Sequence, residues 1–227
     1  MSTTPSILMV LTSHAELGSS GKKTGFWLEE LAAPYAEFKK AGARVDIASP
    51  KGGRPPVDPG SEKDPSEAVR AFLADLEAMR KLDDTLRLDA VKDRYDAVFL
   101  VGGHGTMWDI ATDAHLAKLL AETFDDGRVV AAVCHGPAGL THVRLKNGEP
   151  LVKGRRVAGF SDEEEGAMKL TEVVPFLLET RLRELGGRYE RGPIWKSFAV
   201  RDGRLVTGQN PASSADVARQ TLEAIAR

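Results

Sequence analysis

The sequence predicts an α/β protein: a doubly wound, mostly parallel sheet with helices on both faces and a hairpin near the C-terminus. Three observations carry the prediction. Short, continuous apolar runs end in Ser, Pro or Gly, as strands covered on both faces do. Stretches of helical periodicity with stop signals separate them. A chain of 227 residues with 42% hydrophobic content can bury one sizeable core.

The elements follow in order. SILMVLTS (6–13), RVDIASP (44–50), YDAVFLVGG (95–103) and RVVAAVCHG (128–136) read as buried strands. Between them, EELAAPYAEFKKAG closes on Gly42, DPSEAVRAFLADLEAMRKL opens with Asp64 before Pro65, and TDAHLAKLLAETFDDG closes on Gly127, so each reads as a helix. Alternating strand and helix imply right-handed crossovers. Then come RRVAGF (155–160), a helix VVPFLLETRLRELGG with Pro175 near its start, a hairpin SFAVRDGRLVTGQ turning at Asp202-Gly203, and a closing helix ADVARQTLEAIAR. No repeat or low-complexity tract interrupts the pattern, so residues 1–227 are expected to form a single domain with a surface excursion at about 50–90. The Pro- and Gly-rich SPKGGRPPVDPGSEKDP opens that excursion and reads as a loop beside a site rather than a linker.

Lys and Arg total 31 against 33 Asp and Glu, a net charge of −2 that gives no electrostatic draw toward nucleic acid or an anionic membrane. A lone cysteine cannot close an intramolecular disulfide, the N-terminus lacks the basic region of a signal peptide, and no run approaches the ~18 apolar residues of a membrane span. A cytoplasmic protein that binds neither nucleic acid nor membrane is expected.

That cysteine is the centre of the functional reading. In RVVAAVCHGPAGL, Cys134 closes a buried strand and Gly136 follows, so the chain must turn sharply. A turn that starts a helix exposes the thiol to unpaired backbone N–H groups and to the positive end of the helix dipole, which favour thiolate, with His135 as the adjacent base. On position alone, a buried core cysteine is an equal alternative. VFLVGGHGTMWD ends another strand with Gly102, Gly103 and Gly105 around His104. Glycines let amides approach a ligand, and the N–H groups of Gly103 and His135 could form an oxyanion hole; a tight turn that binds nothing explains them as well. In GFWLEELAAPY, Pro34 removes the amide partner of the Glu30 carbonyl, so the helix should kink. Glu30, Gly103 and Cys134 all follow strands at the sheet edge where open α/β proteins place ligands. Without that convergence, Glu29 and Glu30 are ordinary solvated acids of a helix start.

Together GFWLEELAAPY, AGARVDIASPKGGRPPVDPGS, DAVFLVGGHGTMWD, AAVCHGPAGL, VAGFSDEEE and DGRLVTGQNPASSADVA resemble, in order and over nearly the whole chain, the ThiJ/PfpI superfamily within the class I glutamine-amidotransferase-like, flavodoxin-like fold. They look most like its branch of heat-shock chaperones that double as glutathione-independent glyoxalase (glyoxalase III). The resemblance implies that Cys134 is the nucleophile, His135 its base and Glu30 the acid that hydrogen-bonds the sulfur. It makes Glu165, the last Glu of GFSDEEE, the acid that orients the histidine, and Gly103, His104 and His135 the groups that bind substrate oxygen. Asp162, Glu163 and Glu164 are expected on a solvated helix start, where amide substitutions leave activity near wild type.

The implied reaction converts a 2-oxoaldehyde such as methylglyoxal to lactate through a Cys134 hemithioacetal, with no metal or organic cofactor. The five histidines show neither His-x-x-x-His nor His-Glu-x-x-His spacing, so no zinc site is indicated. Implied partners are the small 2-oxoaldehyde, unfolded client proteins and a second copy of the chain in a homodimer. Amide or peptide hydrolysis, deglycation, isonitrile hydration, holding of unfolded chains and oxidation of the thiol as a sensor stay open. Glutamine amidotransferase action is disfavoured, because the downstream His-x-Glu element of those triads is absent.

Overall fold

A seven-stranded sheet forms the centre of the computed structural model, which describes residues 4–226. In chain order the elements are β1 (Ser6–Val10), α1 (Leu28–Lys40), β2 (Arg44–Ser49), α2 (Glu67–Ala74), α3 (Leu76–Asp83), β3 (Leu86–Arg87), β4 (Ala97–Leu100), α4 (Ala114–Asp125) and β5 (Val129–Val133). They continue with β6 (Arg156–Val157), α5 (Asp162–Ala167), α6 (Leu178–Glu184), β7 (Arg188–Tyr189), β8 (Ala199–Asp202), β9 (Leu205–Gly208) and α7 (Ser214–Ile225). The sheet order is β3-β2-β1-β4-β5-β9-β8, parallel except for the β8–β9 hairpin, and β6 pairs with β7 in a separate small sheet. Among the described residues no helix is long and apolar enough to cross a membrane.

Burial explains why the strand sequences lack alternation. Every residue of β4 and β5 is fully enclosed, because helices cover both faces. The chain runs outward from β1 through α1 to β2, then returns to β4 and runs the other way through α4 to β5. With right-handed crossovers, α1 and α4 therefore lie on opposite faces. The order reverses between β1 and β4, which leaves a crevice at their carboxyl ends. Register aligns those ends: Val10 pairs with Leu100, Leu100 with Ala132, and Val133 with Gly208. The segments that follow β1, β4, β5 and β9 thus leave the sheet along one edge.

Four local expectations are corrected. The helix expected from Asp64 begins after Ser66, whose Oγ accepts the Val69 N–H at 3.1 Å, and it breaks at Asp75. Asp75 has an extended backbone and caps α3 by accepting from the Glu77 and Ala78 N–H groups, so a strong capping side chain overrides apolar periodicity. The helix expected around Pro175 is confined to α6, since proline pushes its predecessor out of helical geometry. The hairpin turns at Gly203-Arg204, one residue later than expected, with Gly203 at φ +59°. The helix through Pro34 is a single element, α1, from Leu28 to Lys40.

Candidate active site

Cys134 leaves β5 in the left-handed region, at φ +59°, a conformation that costs a non-glycine residue about 1 kcal/mol or more. Two long-range hydrogen bonds hold it there. Its N–H donates to the Gly208 carbonyl at 3.0 Å, and its carbonyl accepts from the Phe160 N–H at 2.7 Å. The next residues form a short 3-10 turn, Gly136–Leu140, rather than an α-helix. Gly136 is required there, because a Cβ would lie 2.5 Å from the Leu100 carbonyl oxygen. The thiol is not exposed as expected: Cys134 is 4% accessible and sits at the base of a pocket of about 140 Å³. The expected preference for thiolate is corrected as well. Burial pushes the thiol up, the Glu30 carboxyl beside it adds to the shift, and the His135 N–H only partly opposes it.

Glu30 is carried inward by the first turn of α1 and is completely buried, so the solvated reading does not hold for it. Its Oε2 accepts the Gly102 N–H at 2.9 Å, and a side chain on Gly102 would strike that oxygen at 2.4 Å. Oε1 has no partner among the described residues. Burial raises the pKa well above the carboxylate range, only partly opposed by the neighbouring Cys134 thiol and the Gly102 N–H, which favours the protonated form.

His135 Nδ1 lies 3.4 Å from Cys134 Sγ, and its Nε2 lies 2.8 Å from Glu165 Oε2. Glu165 has a second imidazole partner that the sequence did not reveal: His104 Nε2 lies 2.9 Å from Oε1, and the two rings are 4.0 Å apart. Burial works against ionising Glu165, but the two histidines outweigh it and hold the carboxyl well below its usual range. A carboxylate only accepts, so both Nε2 atoms carry the proton, and His135 Nδ1 presents its lone pair to the sulfur. Burial, with His104 packed beside it, lowers His135 to about 4 and keeps it neutral. Facing donor atoms of His104, His135 and Glu165 all lie within 4.8 Å, a set suited to a divalent cation that sequence spacing could not show; here the same atoms are engaged with each other. Gly103, at φ +106°, could bear no Cβ, which would lie 2.3 Å from the Gly25 carbonyl oxygen. Its N–H donates to no carbonyl among the described residues, and neither does that of His135.

Glu164 departs from its expected place on a solvated helix start. It is fully buried, whereas Glu163 is exposed and pairs with Arg191. The Ser161 N–H and Oγ donate to Oε2 at 3.1 and 2.8 Å, and the Trp195 N–H and Asn210 Nδ2 donate to Oε1 at 3.0 and 2.8 Å. Asn210 Nδ2 also donates to the Lys196 carbonyl at 2.9 Å, and Gln209 Oε1 accepts from the Gly192 N–H at 2.9 Å. Gln209 and Asn210 thus anchor the loop that carries Trp195 over the pocket. The signal available in sequence was two amide side chains directly after a buried strand on the site edge. Glu164→Gln is expected to cost about 2–3 kcal/mol, a thermal midpoint roughly 5–10 °C lower, because an amide nitrogen would face existing donors. Glu163→Gln should cost less than about 0.5 kcal/mol. Equal midpoints for the two variants would refute the buried role.

The neutral state of Glu30 has its own test. A group whose folded pKa is raised contributes stability that is complete below its ordinary value, 4.5 here, and is lost as pH rises through the folded value. Glutamine copies the neutral form and has nothing to lose. The melting midpoint of Glu30→Gln minus that of wild type should therefore grow as pH rises above 4.5. His135, lowered from 6.5 to about 4, destabilises both proteins alike as pH falls through that interval, and cancels in the difference. A difference that does not change with pH would show that Glu30 is not held neutral.

The model of the DJ-1/PfpI family matches residues 23–224. Glyoxalase 3 of Candida albicans is 34% identical over 235 residues, covering 96% of this chain and 97% of its own. Glutathione-independent glyoxalase HSP31 of Saccharomyces cerevisiae is 32% identical over 238 residues, covering 96% and 97%. Among solved structures, Rapid Encystment Protein 24 KDa of Francisella tularensis matches with a TM-score of 0.94 and 37% identity, over 98% of this chain and 99% of that one.

Proposed function

The chain belongs to the DJ-1/PfpI family, and from that premise we propose that it is a glutathione-independent glyoxalase, converting 2-oxoaldehydes such as methylglyoxal to the hydroxy acid through a hemithioacetal on Cys134. The observation that carries the reading is a convergence in one small pocket. A thiol, a neutral imidazole nitrogen 3.4 Å from it and a buried carboxyl with an unpartnered oxygen meet there. Relatives named glyoxalase, aligned over 96% of the chain, support it.

The resting protonation states suit the chemistry. As Cys134 sulfur bonds to the aldehyde carbon C1, its proton passes through His135 Nδ1 to the aldehyde oxygen, giving the hemithioacetal. His135, neutral again, removes the C1 proton while Glu30 gives its proton to the C2 carbonyl oxygen, and an enediol forms. Return of the imidazolium proton to C2 and of the enol proton to Glu30 leaves a thioester, which water hydrolyses to the hydroxy acid and free thiol. Glu165 stabilises each transient imidazolium, and the Gly103 and His135 N–H groups stabilise oxyanion character. The pocket has room for a short aldehyde but not for a peptide strand, which favours this reaction over peptidase action on the same cysteine.

The test is disappearance of methylglyoxal and appearance of lactate in chelator-treated buffer without glutathione. No lactate from folded protein would sink the reading. Glu30→Gln should lower turnover by about 10²-fold, since glutamine keeps the size but transfers no proton. Unchanged kinetics would leave Glu30 a structural group. The same proposal includes work in the cytoplasm as a homodimer, with holding of unfolded clients as a second, thiol-independent activity; the name of the yeast relative HSP31 supports the last part.

A further inference from the structure

We propose that the substrates this pocket favours carry an apolar, ring-sized substituent on the 2-oxoaldehyde, and that Trp195 sets the preference. The proposal rests on the glyoxalase reading and narrows its substrate class. Beyond the reacting groups, the pocket is closed by Trp27, Phe160, Met168, Trp195 and Pro211, and among the described residues no Lys or Arg lines it. A charged or hydroxylated substituent would surrender its hydration and meet no partner. An apolar cavity of roughly 150 Å³ takes up benzene, and this one, its reacting end included, measures about 140 Å³ and continues to the exposed rim of Met168 and Trp195. The methyl group of methylglyoxal would leave much of it unfilled.

The rim points the same way. Met168 and Trp195 are 43% and 44% accessible, among the few large apolar side chains so exposed, and both border the pocket. A ring entering there would cover them. Trp195 stands at φ +61°, a costly backbone conformation for a bulky residue, and is kept in it by the buried Glu164 carboxyl and by the Asn210 bond to the neighbouring Lys196 carbonyl. Its ring centre lies 5.8 Å from that of Phe160, which in turn packs on His135 at 4.3 Å. The indole thus forms a wall of the pocket one ring away from the catalytic imidazole, placed where an aryl or branched alkyl group would stack.

The experiment compares kcat/KM for methylglyoxal, isopropylglyoxal, phenylglyoxal and 4-carboxyphenylglyoxal. Phenylglyoxal should exceed methylglyoxal by at least about tenfold, with isopropylglyoxal between them, and the carboxylate should fall about tenfold or more below phenylglyoxal. Trp195→Ala should shrink the phenyl-to-methyl ratio about fivefold or more, with Trp195→Phe retaining more of it than Ala, both checked for folding by thermal melts. Methylglyoxal turned over as well as phenylglyoxal would overturn the proposal and leave the glyoxalase reading intact. A ratio unchanged in both variants would remove Trp195 from it. No turnover of any of the four would overturn the glyoxalase reading itself. The apolar pocket would then be judged by whether acetophenone, but not acetone, slows alkylation of Cys134 by iodoacetamide, and equal protection would overturn it.

Discussion

Cys134→Ser is expected to lower methylglyoxal turnover by about a thousandfold or more while the fold is kept. The pocket disfavours negative charge at this position, pushing even a thiol upward, and a serine hydroxyl, far less acidic than a thiol, yields its proton there still less readily. Sulfur tolerates those conditions because it is polarisable and becomes nucleophilic as its proton moves to Nδ1; a hydroxyl does not. The measurement is lactate formation in parallel with suppression of aggregation of a heat-denatured client. Holding a client relies on apolar area, so it should survive the substitution. Full turnover by the serine variant would end the hemithioacetal mechanism. Loss of both activities in a folded variant would place them on one surface.

Glu165→Gln should reduce turnover by about a hundredfold, within the usual range for acid–base participation. Two ring N–H groups donate to this carboxylate, one to each oxygen. An amide can accept from only one of them and must present its own N–H to the other, which forces that ring into the opposite tautomer or out of place. If His135 is the one displaced, Nδ1 carries a proton and no longer accepts from the sulfur. Asp162→Asn and Glu163→Gln, whose side chains bond Thr180 and Arg191 outside the pocket, should stay within about twofold of wild type. A silent Glu165→Gln with thermal stability retained would reduce the working set to Cys134, His135 and Glu30.

The strands were legible because burial on both faces writes itself as unbroken apolar runs, and their common edge told where Glu30, Gly103 and Cys134 would meet. What pattern could not show was depth. Cys134 at a strand end reads equally as exposed or enclosed, and the backbone partners that hold it, Gly208 and Phe160, lie far along the chain. The acidic run from Asp162 to Glu165 looked solvated for the same reason. Its inward pair is selected by the start of α5 and by Asn210, a contact across 46 positions. His104 was placed beside substrate oxygen, and nothing local marked it as the second donor to Glu165. Asp75 shows the reverse failure, since a capping side chain was present in the sequence but was outweighed by a regular apolar rhythm.

The two bonds that clamp the Cys134 backbone tie function to the order in which the chain can fold. The parallel pair of β5 and β9, which brings Gly208 to Cys134, closes a loop of more than seventy residues, and such non-local pairings form late and slowly. After thermal denaturation, turnover should therefore return only with the last phase of recovery, behind the growth of helical signal. Nicking the chain between β5 and β9 should disarm the cysteine without touching any residue of the pocket. A rise in temperature would thus abolish the chemistry at the first cooperative opening of that pairing, before the helices melt.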